Sequence, residues 1–383
     1  MKPAVVCVGD AGINGLATVR ALGRRGVPVH VVALESSAQV TSASRYCKSF
    51  TPARDLASLP DVLRGFERGA LLYVDNDPML KALAPHAPAL ARRFALADPL
   101  ADAERLTDKS YQVEVARQAG IAVPRSWFPQ DWNEVLALKG PLIAKPLGRA
   151  DFKAVMASGG AELAARLRER IASPAELVVQ EFIEGGDDQI YAALCYRAHR
   201  SSRSFVLSVR KLRQTVPGAG VMAVGQVVDA PQVREMTRRL VKAAGARGAF
   251  CTEFKLDARD GRYQFIEWNP RPAYFHSIGW RAGFDFAWLA YCDHTDPGRL
   301  ASLPSSFPGE HYWINLHADL RNLSQRPRRP AAEWLPYARA KEWAVYASDD
   351  LEPWRKSMRQ LGGWLFRRRS FGQALGRLAA PRA

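Results

Sequence analysis

The sequence predicts an α/β fold, and three observations lead to that prediction. The chain opens with a βαβ unit, in which a helix over residues 16–25 joins apolar strands at 3–9 and 27–34. Further short apolar strands alternate with helical stretches up to about residue 300. Near the end of that region, two strands flank Asp260 and Gly261, a pair typical of a tight turn. We therefore expect an N-terminal domain with a parallel sheet, a two-lobed core and a small C-terminal extension.

The turn after the first strand carries Gly9, Gly12 and Gly15. Glycines at the start of a helix let an anion approach the backbone N–H groups there. Their GxxGxxG spacing differs from the GxGxxG of dinucleotide-binding turns. A tight connection between strand and helix explains these glycines as well as a ligand would.

The charge of the chain is strongly basic and unevenly spread. Its net charge is +16, and residues 353–383 hold eight basic residues and no acidic one, interleaved with aromatic residues. Such a tail could contact an anionic membrane, or it could be a solvated basic helix packed on the protein. It could also bind nucleic acid, but no nucleic-acid-reading motif accompanies it, so we expect no such partner.

The cysteines and the apolar segments indicate a cytoplasmic protein. The five cysteines form no CxxC pair and no zinc-like cluster, which favours reduced thiols. No run of about 18 apolar residues predicts a transmembrane helix. The N-terminus reads as a strand and not as a signal peptide. The location that we expect is therefore the cytoplasm, with contact to the inner membrane face if the tail binds lipid.

The two strands near residue 260 carry the most informative chemistry. Because strand residues alternate between faces, Glu267, Asn269 and Arg271 point the same way. If Glu253 lies opposite on the paired strand, two acids, an amide and a guanidinium converge. Carboxylate and amide oxygens suit Mg²⁺ that carries nucleotide phosphates, and the arginine suits a phosphate or a carboxylate. The pattern predicts phosphoryl transfer.

Two lysines and one apolar strand extend this prediction. Lys109 begins a helix, and Lys145 interrupts the apolar run Leu-Ile-Ala-Lys-Pro. Each could be an ordinary solvated lysine, but a buried ammonium needs an anion such as a phosphate. The strand over 176–183 could offer backbone groups to an adenine edge, with Asp187 and Asp188 just beyond it.

Taken in order, these motifs resemble the ATP-grasp superfamily of carboxylate–amine ligases. The resemblance covers about residues 1–300 and is closest to the branch that contains carbamoyl-phosphate-synthase-like and D-aspartate-ligase-like proteins. It implies a pre-ATP-grasp, Rossmann-like domain at 1–105. An ATP-grasp domain would follow at 106–300, with lobe A at about 106–180 and lobe B at about 181–300. A basic, Trp-rich extension would occupy 301–383.

The resemblance also implies how nucleotide and metal would be held. ATP and Mg²⁺, for which Mn²⁺ could substitute, would be the cofactors. The implied metal ligands are Glu253, Glu267 and Asn269. The implied ATP contacts are Lys109 and Lys145 at the phosphates, Gln180 at the adenine amino group, the backbone of Glu181, Phe182 and Ile183 at the adenine edge, and Asp187 or Asp188 at the ribose. The expected phosphate flap is poor in glycine, and Lys153 could supply charge there in place of backbone amides.

The remaining implied roles concern the reaction. Arg271 would stabilise an acyl phosphate, and Lys211 would face the transferring phosphate with Arg210 or Arg213 near it. Candidate substrate contacts are Asn14, Asp77 and Arg281, although Arg281 could equally be a plain surface arginine. The implied reaction joins a small carboxylate to an amine through an acyl phosphate, with release of ADP. The alternatives are a degenerate ATP-grasp protein that binds nucleotide without catalysis, and a basic nucleic-acid-binding protein. A homodimer is compatible with the sequence.

Overall fold

The structure is a computed structural model. It describes residues 2–10, 12–36, 40–147, 152, 154–305, 307, 309–325 and 330–367. Over these residues the chain forms three sheets with helices packed on them. No helix among them is long and apolar enough to cross a bilayer.

The N-terminal domain is a five-stranded parallel sheet flanked by helices. Its strand order is β3-β2-β1-β4-β5. This order places the carboxyl ends of β1 and β4 side by side at the centre of the sheet, where ligands of open α/β sheets bind. The strands are β1 Val5–Gly9, β2 Val29–Leu34, β3 Cys47–Ala53, β4 Leu71–Val74 and β5 Ala95–Leu96. The helices are α1 Ile13–Gly23, α2 Leu59–Leu63, α3 Asp77–Leu83, α4 Ala87–Ala91 and α5 Ala103–Thr107.

The next part of the chain forms a four-stranded antiparallel sheet, which we call lobe A. Its strand order is β6-β9-β7-β8. One face of this sheet packs on two helices and encloses a small apolar core of its own. The strands are β6 Ser126–Trp127, β7 Leu142–Pro146, β8 Val155–Ala157 and β9 Leu177–Glu181, and the helices are α6 Lys109–Gln118, α7 Trp132–Ala137 and α8 Gly160–Leu167.

The rest of the described chain builds a seven-stranded sheet, which we call lobe B, in the order β14-β13-β10-β11-β12-β15-β16. All neighbours are antiparallel except β15 and β16. The strands are β10 Ile190–Arg197, β11 Ser204–Val216, β12 Ala219–Val227, β13 Gly248–Asp257, β14 Arg262–Asn269, β15 Tyr312–Ile314 and β16 Ala340–Trp343. The helices are α9 Pro231–Ala243, α10 Phe286–Thr295, α11 Pro297–Ser302, α12 Leu316–Gln325, α13 Leu335–Arg339 and α14 Glu352–Arg367.

The segment after residue 300 is joined to both larger parts of the molecule. β15 and β16 complete the sheet of lobe B. The turn before α14 docks on the N-terminal domain, where Asp350 accepts hydrogen bonds from Arg20, Ser44 and the backbone of Arg45. The N-terminal domain and lobe B also share one continuous apolar core, which includes Tyr73 and Trp313.

The predicted α/β architecture of parallel N-terminal sheet and two-lobed core is confirmed. β10 and the first part of β11 form an antiparallel hairpin. The chain from α3 to β5 forms two short helices and a brief strand, since Pro85 and Pro88 prevent one continuous helix. The short strands β15 and β16 had no signal in the sequence, because few residues and mixed burial leave little periodicity to detect.

Candidate active site

A cleft of about 520 Å³ lies between the sheets of lobe A and lobe B. It collects most of the residues that the sequence predicted for the site. Twelve of them line it: Asp77, Lys109, Lys145, Gln180, Glu181, Phe182, Ile183, Lys211, Glu253, Glu267, Asn269 and Arg271. Cations therefore enter this cleft from both lobes, whereas the two predicted metal-binding acids come from lobe B alone.

The two acids are direct neighbours across two strands. Glu253 on β13 is the pairing partner of Glu267 on β14, and the next residue on that face, Asn269, pairs with Cys251. Side chains directly opposite on antiparallel strands have Cβ atoms about 4.5–5.5 Å apart. The convergence inferred from strand alternation is therefore the geometry observed.

Glu253 has a cationic partner inside the cleft. The Lys211 Nζ atom lies 2.6 Å from its Oε2, and the two side chains are 4% and 13% exposed. On β10, the strand between them, the residue beside Glu253 is the small Ala192, which leaves Lys211 room to reach across. Burial lowers the pKa of Lys211, but the Glu253 carboxylate more than offsets this, so the pKa lies above its ordinary value.

Glu267 differs from Glu253, because its carboxylate bonds to no group among the described residues. Two acids that face each other with only one ammonium between them have room for a further cation. The described part of the chain has no group of three His, Cys, Asp or Glu side chains arranged to hold a metal. A metal here would therefore take the two carboxylates and the Asn269 amide, and would need further oxygens, such as those of a nucleotide.

Lys145 extends from the centre of the lobe A sheet towards these acids. It lies on β7, is 8% exposed and has no ion pair with any residue that the structure describes. Among the described residues, its ammonium makes one hydrogen bond, a long one of 3.5 Å to the carbonyl oxygen of Ile266. Burial lowers the pKa of Lys145, and the nearby Glu267 counteracts part of that effect. Of the two environments that the sequence left open for Lys145, a solvated one and a buried one, the structure has the buried one.

Lys109 and Gln180 line the same side of the cleft. Lys109 is the first residue of α6, whose N-terminus is capped by Asp108 accepting from the backbone N–H of Tyr111. Gln180 is buried on β9, and its amide donates to the hydroxyl of Ser126. A nitrogen that donates to Ser126 leaves the amide oxygen as the free acceptor of this side chain.

The chain crosses from lobe A to lobe B just after β9. The backbone N–H groups of Glu181 and Phe182 donate to Arg125 and Pro141, whereas that of Ile183 bonds to no described residue. The side chain of Glu181 binds Arg125 and Arg259 outside the cleft. This segment therefore presents an apolar wall and one free N–H donor.

Three of the residues predicted for ATP or for the transferring phosphate do not line the cleft. Asp187 accepts from the backbone and side chain of Gln214 and from the backbone of Gly218, so its carboxylate holds the hairpin between β11 and β12. Asp188 and Arg210 pair with each other at the surface, with 2.9 Å between Oδ2 and Nη2. Arg210 neighbours Lys211 on one strand, so the two side chains point to opposite faces. Lys153, predicted at the phosphate flap, lies outside the described residues.

The three candidate substrate residues are placed very differently. Asp77 lines the cleft and binds Arg271 through both carboxylate oxygens. Asn14 is buried beneath the cleft, where its amide donates to the carbonyl oxygens of Asp75 and Pro272. Arg281 is largely exposed, lies 3.5 Å from Glu342 and does not line the cleft.

The structure adds cleft residues that the sequence reasoning had missed. Lys255 donates to the carbonyl oxygen of Gly185 and lies 4.7 Å from the centre of the Phe182 ring. The signal for it was present, because Lys255 shares the strand face of Glu253 two residues away. Tyr274 and Phe152 had no such signal, since distant parts of the chain bring them to the cleft.

The backbone of this chain is similar to those of several solved enzymes. N5-carboxyaminoimidazole synthetase from Staphylococcus aureus is 16% identical, with a TM-score of 0.64 over 85% of this chain and 86% of that one. L-amino acid ligase from Bacillus licheniformis is 17% identical, with a TM-score of 0.61 over 82% and 79%. Both are ATP-grasp enzymes. This chain has the ATP-grasp fold.

The ATP-grasp likeness extends along nearly the whole of those proteins. N5-carboxyaminoimidazole ribonucleotide synthetase from Thermotoga maritima matches with a TM-score of 0.60 at 16% identity, over 82% of this chain and 81% of that one. No family model matches the sequence, and no curated protein sequence matches it either. The likeness therefore lies in the backbone, and the predicted ATP-grasp resemblance is confirmed at the level of the fold.

Proposed function

We propose that this protein is an ATP- and Mg²⁺-dependent ligase that activates a carboxylate as an acyl phosphate and joins it to an amine. One observation carries the proposal: the acid pair Glu253 and Glu267 faces the buried Lys145 and the partly buried Lys109 across one cleft. The acids would complement the positive charge of a metal ion, and the lysines would complement the negative charge of a triphosphate. A solved Staphylococcus aureus synthetase of this fold is complexed with ADP, which supports an adenine nucleotide as the ligand of this cleft.

The nucleotide would lie with its base at the crossing between the lobes. The Ile183 N–H and the Gln180 amide oxygen offer one donor and one acceptor to an adenine edge, beside the apolar wall of the crossing segment. Lys145 and Lys109 would bind phosphate oxygens, because each ends in the cleft without a carboxylate partner among the described residues. The ribose contacts first expected from Asp187 or Asp188 would require these residues to leave their present partners.

The residues of the chain then account for the transfer. The γ-phosphate passes to an oxygen of the substrate carboxylate, ADP leaves, and an amine displaces phosphate from the acyl phosphate. Lys145, Lys211 and Arg271 lie where negative charge would build up, and stabilising that charge is the main requirement of phosphoryl transfer. A metal held by Glu253, Glu267 and Asn269 would supply further positive charge at the phosphates. The protein needs no nucleophile of its own.

ADP release on incubation with ATP, Mg²⁺ and pairs of carboxylates and amines tests this proposal. Glu267→Gln should lower the rate at least about 100-fold, because even residues that only support metal ligands contribute about 10–100-fold. The matched control is Asp260→Asn, at the exposed turn of the same hairpin, which should keep the wild-type rate. Full activity in Glu267→Gln with an unchanged melting temperature would contradict the metal assignment.

A nucleotide-binding protein without catalysis is the main alternative. It would bind ATP with thermal stabilisation but release no ADP with any substrate pair. The intact acid pair and Asn269 argue against this alternative, since metal-binding acids are the first parts that a protein without catalysis could lose. Nucleic-acid binding would instead be steeply salt-dependent and unaffected by Glu267→Gln.

We also infer that the basic C-terminal tail contacts anionic membrane surfaces. The amphipathic sequence of α14 and the cluster of arginines from 367 to 369 support this. The residues after Arg367 lie outside the described ones. Flotation with anionic vesicles should recover the full chain and lose a variant ending at Asp350, whereas equal recovery of both would contradict the inference.

A further inference from the structure

We propose that Asp77 is a positioning residue, which fixes the guanidinium of Arg271 in the cleft. The inference rests on the proposed function, and it changes the role that the sequence suggested for Asp77 as a direct substrate contact. It also gives the N-terminal domain a defined part in the reaction: this domain would orient a catalytic group that belongs to lobe B.

The contact between the two residues is bidentate. The Arg271 Nε lies 2.7 Å from Oδ1 of Asp77, and Nη2 lies 2.6 Å from Oδ2. A guanidinium paired along one edge in this way cannot rotate without breaking both bonds. Burial lowers the pKa of Arg271, but Asp77 more than offsets this, so the pKa lies above the ordinary value.

The other donors of Arg271 are largely used as well. Nη1 donates to the carbonyl oxygen of Pro272, and Nη2 makes a longer contact of 3.4 Å with Oδ1 of Asn269. A guanidinium carries five N–H groups, so one N–H on Nη1 is left over. Because Arg271 lines the cleft, that remaining donor is the one available to a ligand.

Asp77 itself is held by a capped helix. It is the first residue of α3, and Asn76 caps this helix by accepting from the backbone N–H of Met79. Pro78 restricts the backbone of the same turn. The backbone that carries the Asp77 carboxylate is therefore held in place on the N-terminal domain.

A second link fastens the same place. The Asn14 amide donates to the carbonyl oxygen of Asp75, at 2.7 Å, and to that of Pro272, at 3.2 Å. The chain just after β4 is thus joined to the chain just after β14 twice, once through the Asn14 amide, which bridges two backbone carbonyl oxygens, and once through the Asp77–Arg271 pair. The position of Arg271 relative to the acids of β14 follows from this double attachment.

A direct contact between Asp77 and the amine substrate is less consistent with this geometry. Both carboxylate oxygens of Asp77 face Arg271, so an incoming ammonium would share them with a guanidinium of the same charge. A positioning role predicts a loss in kcat, since the fixed guanidinium matters when charge develops. A substrate contact predicts a higher KM for the amine.

The test compares Asp77→Asn with Asp61→Asn. Asparagine keeps one acceptor but turns an NH₂ group towards the guanidinium, which removes one of the two bonds. We expect kcat to fall about 10–100-fold, the range for residues that orient a catalytic group, while KM for ATP and for the amine changes less than about threefold. Asp61, in an exposed ion pair of the same domain, should leave kcat at the wild-type value.

Three further outcomes decide the inference. If Asp77 acts through Arg271, adding Asp77→Asn to Arg271→Lys should cause little further loss, whereas losses that multiply would show independent action. A rise in KM for the amine at unchanged kcat would also overturn the proposal. A crystal structure of Asp77→Asn supplies a readout without activity: Arg271 should leave its present orientation. An unmoved guanidinium would refute the positioning role whether or not the protein is active. If no substrate pair released ADP, that result would count against the proposed function alone.

Discussion

Lys211 and Glu253 form a buried ion pair inside the cleft, with 2.6 Å between Nζ and Oε2. The lysine occupies an oxygen that a divalent metal would need, while Glu267 directly opposite has no described partner. The ammonium thus balances one of the two acids. A nucleotide would offer Lys211 a phosphate and so release Glu253 for the metal. We therefore expect metal and nucleotide to bind cooperatively.

The first prediction concerns metal binding without nucleotide. Lys211→Met should bind Mn²⁺ about tenfold more tightly than wild type, because two uncompensated acids then face each other; this is within the usual range of coupling between two ligands. Titration calorimetry with Mn²⁺ alone measures the effect. Lys109→Met is the control, since Lys109 lines the cleft without pairing with Glu253. Equal Mn²⁺ affinity in wild type and Lys211→Met would contradict the competition.

The second prediction is that Lys145→Met stabilises the protein but weakens its binding of ADP. Lys145→Met should raise the melting temperature of the nucleotide-free protein, because it removes a buried ammonium that forms no ion pair with a described residue. The same change should weaken ADP binding at least about tenfold, since a hydrogen bond to a charged group contributes about 1.5–3 kcal/mol.

Thermal melting and ADP titration on the same samples check both parts. Lys109→Met should leave the melting temperature nearly unchanged, because Lys109 is only partly buried. A lower melting temperature in Lys145→Met would mean that the cleft already compensates the ammonium of Lys145.

The third prediction compares two neighbouring aspartates at the turn before α14. Asp350 forms a buried ion pair with Arg20, and the side chains are 1% and 2% exposed. Asp350→Ala leaves that guanidinium buried and unpaired, which should lower the free energy of unfolding by about 3–5 kcal/mol. Asp349 pairs with Arg24 at the surface and is 41% exposed. Asp349→Ala should lower it by about 1 kcal/mol or less.

Chemical denaturation of both variants measures this difference. The larger loss in Asp350→Ala would establish that the C-terminal segment stabilises the N-terminal domain. Equal losses would show that the ion pair of Asp350 is dispensable for stability.

The fourth prediction is a pH dependence of stability that arises at Asp98. Burial raises the pKa of Asp98 to about 8, although the backbone N–H of Val74 and the charge of Arg271 oppose the shift. Between the ordinary value of 3.8 and about 8, the folded protein keeps a proton that the unfolded chain has released. Stability should therefore fall as the pH rises through this window, by up to about 1.4 kcal/mol per pH unit from this group.

Asp98→Asn should remove that part of the slope and keep the hydrogen bond, because its amide oxygen can still accept from Val74. Unfolding free energies at several pH values between about 5 and 8 give the slope. Asp102→Asn, in a half-exposed pair with Arg105, is the matched control and should retain the wild-type slope. The prediction is wrong if Asp98→Asn and wild type show the same slope.

Much of the candidate site was predictable because it lies on single strands. Strand alternation is a local property, so Glu267, Asn269 and Arg271 could be assigned to one face from their spacing alone. The tight turn at Asp260–Gly261 then implied that Glu253 lies opposite. Lys145 was recognisable because a cation in an apolar run has few stable environments. The order of these motifs along the chain then allowed the fold to be predicted.

The roles of single side chains were less predictable, because they depend on which distant groups meet. Asp187 looked like a free acid beyond a strand, but its carboxylate binds the β11–β12 hairpin, 27 residues or more away. Arg210 looked close to Lys211, yet the same alternation that grouped the acids turns it to the opposite face. Lys255 was overlooked although its spacing from Glu253 was informative.

Local sequence thus specified the strands, their faces and the kinds of ligand atom that they present, since these follow from backbone geometry and residue chemistry. The pairing of Asp77 with Arg271 across 194 residues, and of Lys211 with Glu253 across a third strand, arises only when the domains and the sheet assemble. Such contacts have no periodicity along the chain. They depend on shape and charge at surfaces that exist only after folding.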